Sequence, residues 1–198
     1  MPLELREVDT AVDFPALAKC LYESYEDPLQ QFFYVWFPIF GDTKWHAEDP
    51  SSYWQKIVDT ETGKIAGAAL RNIHKENPFT EEHDMEITWF PDDDLFIIYT
   101  SPEYRRKGVA QKFMDWGMKK ADEMGVEMFL DSTPVGKPLY EANQFITVKD
   151  NLMIPQMDSP DEAWEKLERQ TGPVTFYLMW RPVGGKYEEG KTVFPWEK

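Results

Sequence analysis

The run Tyr104-Arg105-Arg106-Lys107-Gly108-Val109-Ala110 sets three cations directly before a glycine and the start of an amphipathic helix. The first N–H groups of a helix have no intrahelical acceptor and carry the positive end of its dipole. An anion placed there gains hydrogen bonds and favourable charge together. Gly108 leaves the backbone open to close approach, where a β-carbon would stand in the way. The chain carries a net charge of −15, so an anionic ligand explains a local cationic cluster better than an ordinary solvated helix start does. The chemistry indicated is phosphate binding. Further along, Leu139-Tyr140-Glu141 puts a phenol within a short helical stretch. A phenol can give a proton or a hydrogen bond to a leaving group; by residue type alone half-buried packing is the better reading.

The elements that must hold these groups follow from periodicity. Val109, Phe113, Trp116, Gly117, Ala121 and Met124 recur at helical spacing, predicting a helix over about 108–124 that Gly125 stops. Residues 95–100 are apolar and dense in β-formers, a strand halted by Ser101-Pro102. A strand over 126–131, a short helix over 138–143 and a strand over 145–148 come next. Strands joined by a short helical crossover are expected to be parallel neighbours.

Upstream, residues 3–8 alternate as a first strand, and Asp13 is placed to cap a helix with Pro15 in its first turn and Leu17, Cys20 and Leu21 on one face. Residues 29–36 read as a helix crowded with Phe32, Phe33, Tyr34 and Trp36, followed by Phe37, suited to core or to a cleft wall. Residues 53–59 and 64–71 flank Thr60-Glu61-Thr62-Gly63 as an antiparallel hairpin. The acidic stretch 75–94 reads as an exposed insertion. Ser159-Pro160-Asp161-Glu162 has the cap, proline and acid of a helix start, for a helix to about residue 170. Residues 174–181 form a last strand. The expected organisation is one domain over 1–183 and a charged tail over 184–198, with Phe194 and Trp196 as anchors.

A chain of 198 residues, 42% hydrophobic and 29% charged, has the composition of one folded domain. Its acidity argues against nucleic acid as a partner and favours a cationic or amine-bearing small molecule, or solubility alone. Cys20 is the only cysteine, which excludes disulfides within the chain and a multi-cysteine zinc site, and fits a reducing compartment. The start, Met1-Pro2-Leu3-Glu4-Leu5-Arg6-Glu7, has no signal-like pattern, and no apolar run approaches the roughly 20 residues of a membrane span. A cytoplasmic protein with no membrane partner is expected. Glu81-Glu82-His83-Asp84 and Asp92-Asp93-Asp94 lack the spacing of a calcium loop, and His46, His74 and His83 are isolated surface residues, so no metal is expected.

Arg105-x-x-Gly108-x-Ala110 resembles the Gln/Arg-x-x-Gly-x-Gly/Ala signature of the GNAT superfamily of N-acetyltransferases, in the family's place between the fourth strand and the third helix. Ser101-Pro102-Glu103-Tyr104 resembles the family's lead-in, and Gly136-x-x-Leu139-Tyr140-Glu141-x-x-x-Phe145 its later tyrosine helix. The hairpin with Val58-Asp59-Thr60-Glu61-Thr62-Gly63 resembles GNAT-domain proteins common in filamentous fungi. The resemblance is specific over 53–145. Gln144 departs from it, standing where a glycine is usual.

The resemblance implies an α/β (α+β) GNAT fold: a mixed central sheet of about six or seven strands flanked by helices, with strands four and five splayed. It implies acetyl-CoA as cosubstrate, its pyrophosphate on the backbone of the turn with Arg105, Arg106, Lys107, Gly108, Val109 and Ala110. The pantetheine would lie along the backbone of Ile98, Tyr99 and Thr100, with Ser132 and Lys137 on the other flank. Tyr140 would be the general acid for the leaving thiolate. The general base stays open, with Glu86 one candidate. The implied reaction is acetyl transfer to a primary amine, small and cationic or aromatic, by direct attack in a ternary complex. Acetylation of a protein or peptide and a non-catalytic acyl-CoA-binding module are the alternatives; monomer and homodimer are both open.

Overall fold

The computed structural model describes residues 2–26, 30, 52–74, 97–154 and 162–197. Leu29 and the aromatic stretch 31–37, His46, the acidic stretch 75–94 with His83 and Glu86, Leu95-Phe96 and the cap Ser159-Pro160-Asp161 lie outside the described residues.

Strand β1 (Leu3–Glu7) leads to helix α1 (Phe14–Glu26), then to strands β2 (Ser52–Asp59), β3 (Ile65–Asn72) and β4 (Ile97–Thr100). Helix α2 (Val109–Met124) joins β4 to β5 (Met128–Ser132). Helix α3 (Lys137–Ala142), strand β6 (Ile146–Met153), helix α4 (Glu162–Thr171) and strand β7 (Val174–Arg181) complete the order. The strands make two sheets, β1-β2-β3-β4 and β5-β7-β6.

Every ladder among the described residues is antiparallel. The parallel pairing expected of β4 and β5 is therefore corrected: each is the edge of its own sheet, with no ladder between them. The two sheets are still joined through their side chains. Ile98 of β4 packs against a cluster containing Leu130 of β5, and Ile97 and Tyr99 share a core with Val174 and Phe176 of β7. Hydrophobic contact holds the halves together where backbone hydrogen bonds do not.

Each helix fits by its apolar stripe. Leu17 and Cys20 of α1 pack on Ala68, Leu70 and Tyr99. Val109 and Phe113 of α2 pack on the opposite face against Ile57, Ala69 and Tyr104. Small residues let β3 sit close: a β-carbon on Gly67 would lie 2.4 Å from Tyr99 O and 2.9 Å from Val109 Cγ1. Gly125, at φ +68°, ends α2 while Val126 N–H reaches back to Ala121 O, a left-handed cap.

Asp13 precedes α1 as expected, yet its side chain serves other partners. Its Oδ2 accepts from Asp9 N–H and pairs with Lys56 on β2. The ion pair fastens α1 to the sheet instead of capping the helix.

Residues beyond β7 fold back. Trp180 is fully buried, with Phe194 5.2 Å and Tyr187 6.3 Å from it, ring to ring, and Trp196 stacks on Phe194. No helix among the described residues is long and apolar enough to cross a membrane.

Candidate functional site

The turn before α2 is built from below. A single helical turn, Pro102–Tyr104, buries Tyr104, whose hydroxyl donates to Asp59 Oδ2 at 2.9 Å. Asp59 sits at the end of β2 and also accepts Glu61 N–H at 3.0 Å. Burial works against its charge, yet these donors outweigh it and hold the carboxyl below its usual range. The hairpin turn thus anchors the lead-in.

Above that anchor, Arg106 and Gly108 take left-handed conformations, φ +61° and +80°. A β-carbon on Gly108 would meet nothing within 4 Å. The first backbone bond of the helix runs from Lys112 N–H to Gly108 O. Among the described residues, the N–H groups of 106–111 find no acceptor. Successive unpaired N–H groups in a turn that alternates conformations make a concave anion site.

The side chains divide the work. Arg106 and Lys107 are exposed, Lys107 Nζ lying 5.3 Å from the centre of the Tyr104 ring. Arg105 instead donates to Ser24 O of α1 at 2.7 Å and is half-buried. Val109 is buried in the core and Ala110 is half-buried, so both can offer only backbone to a ligand.

The neighbouring strand edge follows from register. Ser101 N–H bonds to Ala66 O, and β3 pairs with β4 as Ala68↔Tyr99 and Leu70↔Ile97. In an antiparallel ladder these are the bonded pairs, so the N–H and C=O groups of Ile98 and Thr100 point away from β3, toward β5. The Tyr99 backbone faces β3; its ring is buried and its hydroxyl donates to Leu17 O at 3.2 Å. Of the three residues expected along a bound ligand, Ile98 and Thr100 offer backbone groups with no partner among the described residues, and Tyr99 braces α1.

Across the seam, Ser132 is buried, its hydroxyl donating to Thr133 O at 2.9 Å. Lys137 opens α3 with Nζ 4.4 Å from the centre of the Tyr177 ring and 3.5 Å from Glu141. Helix α3 is tied to α2 by two reciprocal amide bonds between Gln111 and Asn143, at 2.7 and 3.1 Å. Gln144 stands in the left-handed region at φ +69°, the conformation a glycine would adopt without strain.

Tyr140 lies on α3 with its ring 5.8 Å from Phe145. Its hydroxyl has no hydrogen-bond partner among the described residues, and burial pushes the phenol up to about 12, opposed by the Arg71 guanidinium. Tyr140 in turn raises Tyr25 of α1 further. Tyr140 packs on the cluster of Leu130, Phe145 and Met179 that Ile98 of β4 also joins, at the junction of the two sheets.

Arg71 was not legible as a site residue. It is buried, with Nη1 on Gln55 Oε1 and Nη2 on Phe113 O, both at 2.6 Å, and Nε unpaired. Burial lowers it to about 10. Only its position at the end of a hairpin strand hinted at it. Asp131 on β5 was missed likewise: its Oδ1 is buried without a donor. A shallow depression on the outer side of α2, holding the Arg181–Asp122 pair, lies apart from the seam. No group of three metal-type side chains occurs among the described residues. His74 is half-buried.

The acetyltransferase (GNAT) family model matches residues 16–144. The fold is shared with the ribosomal-protein-S18-alanine N-acetyltransferase of Escherichia coli, at 14% identity and TM-score 0.58 over 98% of this chain and 100% of that one. It is shared with a mutant spermidine N-acetyltransferase of Vibrio cholerae, at 13% identity and TM-score 0.53 over 90% and 92%. A third likeness is yncA of Salmonella typhimurium, solved with its cofactor acetyl-CoA, at 13% identity and TM-score 0.56 over 96% of both chains. A comparison with curated proteins finds no match. With the matched segment spanning most of the chain, and the described strands split between β4 and β5 beside a glycine turn, the chain belongs to the GNAT acetyltransferase family.

Proposed function

We propose that this protein transfers an acetyl group from acetyl-CoA to a primary amine within a single domain over 1–183, onto which the C-terminal tail 184–198 folds back. The observation that carries the reading is the unladdered seam: among the described residues, β4 presents unpaired backbone groups at Ile98 and Thr100 beside a turn of unpaired N–H groups. An extended amide-bearing arm can add to such an edge as a strand would. The open space over Gly108 and the exposed Arg106 and Lys107 fit a diphosphate. Ser132 and Lys137 flank the far side.

Acetyl-CoA supplies an acetyl group activated as a thioester. The protein's part is to place it, exclude water and manage protons. Tyr140, at about 12, stays protonated at neutral pH. An ordinary thiol has a pKa of about 8.5, so the phenol is the weaker acid. It stabilises a departing thiolate by hydrogen bonding more than by handing over its proton outright. Overall, a carbon–nitrogen bond forms, a carbon–sulfur bond breaks, and the amine proton passes to solvent or thiolate.

A small amine is favoured over a polypeptide by the chain's charge of −15, which attracts cations. The V. cholerae protein named for spermidine fits that reading, and the E. coli protein named for a ribosomal-protein alanine keeps peptide acetylation as the second. The test is thiol release from acetyl-CoA with a panel of amines and peptides, alongside calorimetry with CoA. Turnover with amines is expected. Acetylation of peptides alone would replace the acceptor class, and tight CoA binding without turnover on any acceptor would leave only a binding module.

A further inference from the structure

Asp131 stands on β5 between Leu130 and Ser132. Leu130 packs with Met114 of α2, and Ser132 Oγ would lie 3.2 Å from a β-carbon on Gly136, beside Tyr140. Strand alternation therefore turns Asp131 to the opposite face. That face also carries Phe129 of β5 and Leu178, the register partner of Asp131, both half-buried. Phe176, two residues along β7 on the same face, packs with Tyr25 of α1 and Tyr99 of β4.

Among the described residues the carboxylate has no counterpart. Its Oδ1 is buried with no donor, and no ion pair reaches it among the described residues. Lys137 is spent on the other face, over the ring of Tyr177, which pairs with Ser132. Folding alone gives no reason to bury an unmatched carboxylate oxygen between apolar side chains, since any apolar residue there would be more stable. Burial raises its pKa to about 6, which leaves it mainly ionised at neutral pH.

We propose that Asp131 receives the ammonium group of the acceptor, on the face of the seam opposite α3, with Phe129 and Leu178 as the apolar surface beside it. The inference rests on the acetyltransferase reading and narrows it. The acceptor is a primary ammonium joined to an aromatic or aliphatic body. Tyr140 enters the seam from one face and the amine from the other.

The test is calorimetry on the CoA-loaded full chain, wild type and Asp131→Asn, with benzylamine and tryptamine as cationic probes and benzyl alcohol as the neutral control. Acetyl-CoA is titrated into each unloaded protein in parallel. Amine affinity should fall about tenfold or more in Asp131→Asn, the size expected when a buried charge-assisted contact is lost. Acetyl-CoA and benzyl alcohol binding should be unchanged, and Asp131→Glu should recover part of the amine affinity. Asp131→Ser repeats the comparison if the asparagine variant folds poorly, as judged by circular dichroism. Equal amine affinity in wild type and variant overturns the inference, as does a CoA-loaded wild type that binds neither amine; both leave the cofactor reading standing. Failure of the wild type to bind acetyl-CoA removes both.

Discussion

Gly108 faces open space at φ +80°, so replacing it acts in two separable ways. Alanine adds only backbone strain, about 1 kcal/mol of stability. Aspartate adds that strain and a negative charge aimed at the anion site. Gly108→Asp should weaken acetyl-CoA binding at least about tenfold by calorimetry, and Gly108→Ala much less. Tyr140→Phe keeps the ring packing against Phe145 and removes only the unpartnered hydroxyl. Turnover should fall about 10–100-fold with acetyl-CoA affinity within twofold, because the contact matters only as charge develops.

Asp131 makes a prediction about pH. Its raised pKa means the folded state holds a proton more tightly than the unfolded one. Stability from this group is therefore full below pH 4 and is lost as pH rises toward 6. A shift of that size corresponds to about 3 kcal/mol at most, reduced by partial solvent access. Asp131→Asn should accordingly be more stable than wild type by about 1–3 kcal/mol in urea at pH 7.5, with the advantage gone near pH 4.

At this scale the left-handed glycine and the exposed cations before α2 were legible from spacing, because neighbours in sequence set them, whereas Tyr140 was singled out only through the family resemblance. Arg71 and Asp131 could not. Which face of a strand is buried depends on what packs there, and nothing in a strand's own sequence names that partner.

Among the elements, α2 shows how a poor local choice can serve packing. Gly117 lies mid-helix, where alanine normally gains about 1 kcal/mol. Here a β-carbon would stand 2.9 Å from Arg71 Nε, and Gln55 and the Phe113 carbonyl hold that guanidinium in place. Gly117→Ala should therefore destabilise by about 1–3 kcal/mol, read as a lowered Tm. Helix α2, the hairpin and β7 were all legible, each with a strong period or turn signal. The break between β4 and β5 was not derivable from a crossover rule that expects neighbours to pair; only the family resemblance implied it. The Asp13 side chain likewise left the capping role its position suggested, since Lys56 offered a stronger partner.

For the molecule as a whole, the segment after β7 is part of the packing. Phe194 and Tyr187 cover Trp180, which is fully buried. Deleting residues 186–198 should uncover the indole and cost about 2–4 kcal/mol, seen as a lower urea midpoint. Phe194 and Trp196 were recognisable as anchors because aromatic residues in a charged segment have few other uses; their target was not, because Trp180 sits at the far end of a strand whose cover comes from outside its own sheet.

The bond from Arg105 to Ser24 O has a mechanical meaning. It is a latch between the turn before α2 and the final stretch of α1, the helix that carries Tyr25. A diphosphate that drew that guanidinium toward itself would loosen the last turn of α1, leaving the Asp13–Lys56 pair and the apolar face to hold the rest. Arrival of the donor molecule would then be felt on the opposite side of the sheet, where the second reactant is proposed to enter.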